Sequence, residues 1–180
     1  MNKNDDDKES VVRISLLDVM YGVVLAYGFN SFDKAQDCSD YFRFFFACAV
    51  FVVDWVYVHR LYWGAEYKNI LLLLDIGILF SISRLLSTST AHTPNYFMWL
   101  AILFIFYVVW DYVMFKVDKS SSNDFISDVK ADGIGCIIFL FIFWKAPSII
   151  AMQYGNVFLN VGTLIVYSIV FLGWFFKKSK

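Results

Sequence analysis

Apolar residues run through this chain in long unbroken blocks, not in the one-sided stripe of a surface helix. Short polar stretches separate the blocks, among them MNKNDDDKES at the start and VDKSSSND at residues 117–124. A helix needs about 18–20 nearly uncharged residues to cross a hydrocarbon layer roughly 30 Å thick. Six segments approach that length: 11–30, 41–62, 68–88, 94–115, 124–145 and 154–176. The fifth is free of charge only from Gly133 to Trp144, before Lys145 and Pro147, which predicts a helix whose first two turns stand outside the membrane. The connections are short, so sequential helices are expected to be antiparallel neighbours. The expected fold is all-α: a polytopic membrane helix bundle of six transmembrane helices, forming one domain over residues 1–180.

The basic residues give this bundle a direction, because Lys and Arg beside membrane spans stay on the cytoplasmic side. With both termini placed inside, the inner segments hold Lys3, Lys8, Arg13, Arg60, Lys68, Lys116, Lys119, Lys130, Lys177, Lys178 and Lys180. The outer ends hold only Lys34, Arg43, Arg84 and Lys145. An odd number of spans would destroy this asymmetry. Trp55, Tyr57, Tyr62, Trp63, Trp110, Tyr112 and Trp174 fall near proposed inner ends, and Tyr27, Trp99 and Trp144 lie nearer the outer side, as interfacial aromatic belts do. The first apolar run is interrupted by Asp18 and follows an acidic stretch, unlike a cleavable leader. A multi-pass protein of a bacterial-type inner or plasma membrane is the expectation.

Against this apolar background the acids stand out. The first four segments each carry one aspartate: Asp18, Asp54, Asp75 and Asp111. A charge near the bilayer centre costs at least about 2.5–3.5 kcal/mol, so such residues are rare and default to functional candidates. Counted along each helix at 1.5 Å per residue, all four fall within roughly 6–12 Å of the inner boundary. Arg13, His59 and Arg60 lie just beyond them, which predicts a polar network of these seven residues in the cytoplasmic half. Three readings of that layer stay open: ion pairs and hydrogen bonds that hold helices together, acids facing a water-filled vestibule that attracts cations, or a proton-coupled site using Asp54 and His59. The segments VFVVDWVYV and IFYVVWDYV echo one another, as a two-helix repeat would.

Composition adds mostly exclusions. Apolar residues make up 59% of the chain and aromatic residues 21%, against about 45–50% apolar for soluble domains. A net charge of −1 without a basic patch excludes a nucleic-acid partner. Cys38, Cys48 and Cys136 are odd in number and form no CxxC pair, so neither a disulfide framework nor a metal site is expected. No HExxH, GxSxG, phosphate-binding loop or dinucleotide turn is present, so neither an enzyme nor a cofactor is expected. Asp124, Asp128 and Asp132 share a face at the entry to the fifth segment and read as a solvated amphipathic turn, with a divalent ion or a cytoplasmic partner as the alternative. Arg84 is expected to snorkel outward or to meet Asp37 or Asp40. Asn156 and Asn160 give the sixth segment a polar stripe suited to an interhelical hydrogen bond.

The runs RISLLDVMYGVVLAYGF, DWVYVHRLYW and LLLLDIGILF together resemble the six-helix potassium channels found in bacteria and in lysosomes. In that family the first helix carries an Arg followed by Phe-Ser-Asp, and the second ends in Trp, His, and His-Arg-Leu-Phe. Here Asp18 takes the place of the motif aspartate, with Trp55, His59, Arg60, Leu61 and Tyr62 at the end of the second segment. Leu16 and Leu17 replace Phe-Ser, Arg13 is one residue closer to the aspartate, and Val58 stands where one histidine belongs. The resemblance covers about the first 85 residues. It implies a homo-tetramer in membrane lipid, conducting a monovalent cation along a pore lined by the first helices. The constriction would fall on Val23, with Tyr27 one turn further out, and Gly22 and Gly28 would allow close helix approach. An oligomeric cation channel is the function expected; a non-conducting membrane sensor or scaffold, or a triggered permeabilising effector, is the alternative.

Overall fold

A computed structural model of the chain describes the backbone of residues 3–62, 69–90, 93–117 and 122–177, and the side chains of 15–58, 69–90, 94–116 and 129–170. It contains six α-helices: α1 Lys3–Phe32, α2 Cys38–Tyr62, α3 Asn69–Thr88, α4 Thr93–Val117, α5 Ser122–Ile150 and α6 Gly155–Lys177. Among the described residues, four of them contain stretches long and apolar enough to cross a membrane: Cys38–Val58, Asn69–Thr88, Pro94–Lys116 and Val129–Ile150. In α6 the described apolar stretch, Gly155–Val170, is shorter. Apolar runs of this length settle as helices because a helix satisfies every backbone group within its own segment.

The helix ends follow local chemistry. Asp37 caps α2: its carboxylate accepts the Asp40 amide at 2.8 Å, and its carbonyl accepts the Tyr41 amide. Asp40 reaches back to the Gln36 amide at 3.0 Å, a variant of the capping box. At the end of α3 the Thr88 and Ser89 hydroxyls bond the carbonyls of Arg84 and Leu86. Helix α5 runs through Pro147 to Ile150, beyond the expected end at 145; a proline in the last turn removes a single hydrogen bond from the ladder. The α5–α6 turn then closes through Met152 N–Ile149 O and Gly155 N–Met152 O bonds of 2.9 and 3.0 Å.

Helix α4 lies centrally, packed most closely on α5 and then on α3; α1 packs on α3, and α6 on α5 and α2. Glycines set the close approaches. A Cβ at Gly135 of α5 would stand 2.5 Å from the Phe104 ring of α4, and one at Gly77 of α3 would stand 2.4 Å from Phe106. Gly28 of α1 meets Leu86 in the same way, whereas Gly22 has nothing within 4 Å among the described residues. Within its described side chains, 129–150, α5 buries a narrow line, Asp132, Gly135, Phe139 and Ala146, and turns Ile134, Ile137, Phe141 and Trp144 outward. Helices α2 and α4 are bridged by side chains, including the Tyr57–Trp110 ring pair at 6.0 Å and the Tyr96 hydroxyl on the Arg43 carbonyl at 3.2 Å.

Candidate functional site

The space beside the Tyr57–Trp110 pair gathers an unusual set of side chains. Asp54 of α2, Asp75 of α3, Asp111 of α4 and Asp132 of α5 all line one small cavity, together with Tyr57, Tyr107 and Trp110. Their exposures are 4%, 1%, 3% and 0%, so four carboxylates from four helices are fully withdrawn from the surface. The cavity measures ≈ 10 Å³, close to the smallest space that holds one water molecule. Among the described residues, no lysine, arginine or histidine lines it. Nor do any three carboxylates, imidazoles or thiols among them come together closely enough to hold a metal ion.

Tyrosines supply the counter-chemistry. Tyr21 of α1 donates a 2.5 Å hydrogen bond to Asp54 Oδ2, and the Tyr107 hydroxyl of α4 bonds the same carboxylate. Tyr107 stands four residues before Asp111, one turn away on the same face of α4. Tyr167 of α6 reaches in from the other side: its ring packs on Phe46 of α2 at 5.2 Å and on Phe104 of α4 at 6.4 Å. Its hydroxyl lies in the field of both Asp54 and Asp132. Six helices thus contribute to one polar layer. Burying an isolated ionised carboxylate costs far more than a hydrogen bond returns, so four around one cavity require protons, water or a cation among them.

The layer differs in membership from the expected one. Asp54, Asp75 and Asp111 belong to it. Asp18 does not: it is exposed and accepts a 3.0 Å hydrogen bond from Trp55 Nε1 on the outside of the α1–α2 pair. Asp132, expected on a solvated turn, is instead the fourth acid of the chamber. The close approach of α4 and α5 at Gly135 turns its helix face inward. Trp110, expected in an interfacial belt, is buried beside it. The side chains of Arg13, His59, Arg60, Asp124 and Asp128 lie outside the described residues.

Val23 and Tyr27 stand on the outward face of α1, 64% and 54% exposed. At the opposite end of the bundle Arg43 is buried; it pairs with Asp40 and donates through Nε to the Ser89 carbonyl at 2.8 Å. Arg84, expected to snorkel outward or to meet Asp37 or Asp40, is exposed and lies over the Trp99 ring at 5.5 Å. The three cysteines are free. Compared with protein-family models, with curated proteins and with solved structures, the chain matches none.

Proposed function

We propose that the protein is a multi-pass membrane protein that handles monovalent cations, with both termini on the cytoplasmic side and six helices crossing the bilayer. The observation that carries this reading is the chamber of Asp54, Asp75, Asp111 and Asp132, four carboxylates around one water-sized space with tyrosines as partners. In a low-dielectric setting such a group draws in positive charge strongly, since no nearby solvent screens it. Separate carboxylates that do not chelate suit a mobile monovalent ion or proton better than a resident divalent metal.

The fuller form of the proposal is a homo-oligomeric channel, a tetramer by the resemblance to six-helix potassium channels. The outward stripe of Leu16, Val19, Val23 and Tyr27 on α1 would then face the symmetry axis, with Val23 as the constriction. The test is flux from liposomes holding the full chain, with potassium, sodium and proton gradients applied in turn and the oligomer counted by native mass spectrometry. Cation flux that falls several-fold in Asp75→Asn and Asp132→Asn supports the chamber, and altered selectivity in Val23→Asn supports the α1 pore. Liposomes that hold folded protein yet pass no cation under any gradient would overturn both and favour the scaffold.

A further inference from the structure

Helix α6 carries polar residues on its buried face at positions 156, 160, 163 and 167: Asn156, Asn160, Thr163 and Tyr167. Their spacings of four, three and four residues keep them on one face and bring the column from the α5–α6 turn to Tyr167, whose hydroxyl lies in the field of Asp54 and Asp132. Asn160 is 6% exposed, and its Oδ1 accepts no hydrogen bond among the described residues; the same is true of Asn156 Oδ1. Buried carbonyl oxygens almost never stay unbonded, and ordered water is their usual partner where protein groups are missing. Thr163 donates its hydroxyl hydrogen to the Leu159 carbonyl at 2.8 Å, which leaves its oxygen able to accept.

Distance favours water over direct contact. Successive groups on one helix face stand about 5–6 Å apart, too far for one hydrogen bond and right for two that meet at a water. Asn156, half-buried at the first turn of α6, opens the column toward the surface.

We infer that a file of water along Asn156, Asn160 and Thr163 gives protons access to the four-aspartate chamber from the end of the bundle that carries the α5–α6 turn. A proton arriving at Asn156 exchanges from water to water along O–H bonds and ends on a chamber carboxylate. That carboxylate becomes a neutral acid, and the waters are left reoriented. The asparagines donate and accept hydrogen bonds throughout without changing protonation. This inference rests on the membrane reading above and adds a route to it.

Two measurements on the full chain in lipid test it. In water-edited solid-state NMR, magnetisation from water should reach the Asn156, Asn160 and Thr163 side chains several-fold faster than the neighbouring Leu159 and Val161. In liposomes loaded with a pH-sensitive dye, Asn160→Leu and Thr163→Val should slow proton uptake roughly tenfold, equivalent to about 1.4 kcal/mol on the barrier. Val161→Leu, on the outward face, should leave it unchanged. A dry Asn160, or proton uptake indifferent to Asn160→Leu and Thr163→Val, overturns the file even if other cations pass. A wet column in liposomes that pass no cation supports the water file but overturns the proton route and the proposed function together.

Discussion

Tyr21 of α1 and Asp54 of α2, 33 residues apart in sequence, share a 2.5 Å hydrogen bond inside the bundle. The bond ties the first helix to the chamber. Tyr21→Phe keeps the ring contact with Phe51, at 5.2 Å, and removes only the donor. The loss of a buried hydrogen bond to an acid is expected to destabilise by about 1.5–3 kcal/mol. Thermal unfolding in detergent reads this directly. Trp55→Phe, which deletes the exposed bond to Asp18, should cost clearly less, and an equal cost in the two variants would deny the chamber its structural weight.

Gly133 and Gly135 are two residues apart on α5 yet predict opposite results. At Gly135 an added methyl meets the fully buried Phe104 ring, which has no free space to enter. Gly135→Ala should therefore force α4 and α5 apart and cost about 1–3 kcal/mol. At Gly133 nothing lies within 4 Å, so Gly133→Ala should be neutral, or stabilising by up to about 1 kcal/mol through helix propensity. Matched unfolding curves of the two variants decide the point; similar curves would mean that α4 and α5 are not held at this separation.

The α5–α6 turn makes a steeper demand. A Cβ on Gly155 would stand 1.7 Å from the Ile149 carbonyl oxygen, a backbone atom that cannot rotate aside. Gly155→Ala should open the turn, lose the Gly155 N–Met152 O bond and raise cleavage there in limited proteolysis. Wild-type cleavage rates in the variant would show that the turn has a second conformation.

How far these features were legible in the sequence depends on what each requires. Helix positions follow from run lengths, and Asp54, Asp75 and Asp111 announce themselves as lone acids in apolar runs. Rotation about the helix axis is a different matter. Where a helix is apolar nearly all round, no stripe says which face turns inward. Asp18 and its neighbour Leu17 look alike in context, yet Leu17 is buried and Asp18 exposed. Asp132 was hidden among Asp124, Asp128 and Lys130, where its i, i+4 spacing mimics a solvated face. The usable signal was the small-residue stretch ADGIG around it, which marks close helix approach. Tyr107 was similarly findable, four residues before Asp111, but an aromatic near a span end reads first as a belt residue. Asn156 and Asn160 read as helix–helix glue, and only their unbonded carbonyls in the fold point to water.

Arg43 and Asp40 form the other buried charged group, and they predict a non-additive cycle. Both are buried, and the arginine is further fixed by the Ser89 carbonyl. Arg43→Met leaves the buried Asp40 carboxylate with the Gln36 amide as its partner among the described residues, which should destabilise by about 3–5 kcal/mol. Asp40→Leu leaves a buried guanidinium whose Nη1 has no partner among the described residues, and should be of similar severity. The double variant removes both charges and refills the space with apolar atoms, so its loss should fall well below the summed losses of the singles. Tyr96→Phe serves as an internal reference. Its hydroxyl bonds the Arg43 backbone carbonyl, which survives every substitution at 43, so its cost of about 1 kcal/mol should be the same in both backgrounds. Strict additivity of Arg43→Met and Asp40→Leu would show that the two charges do not depend on each other, and that the cap of α2 is held by Asp37 alone.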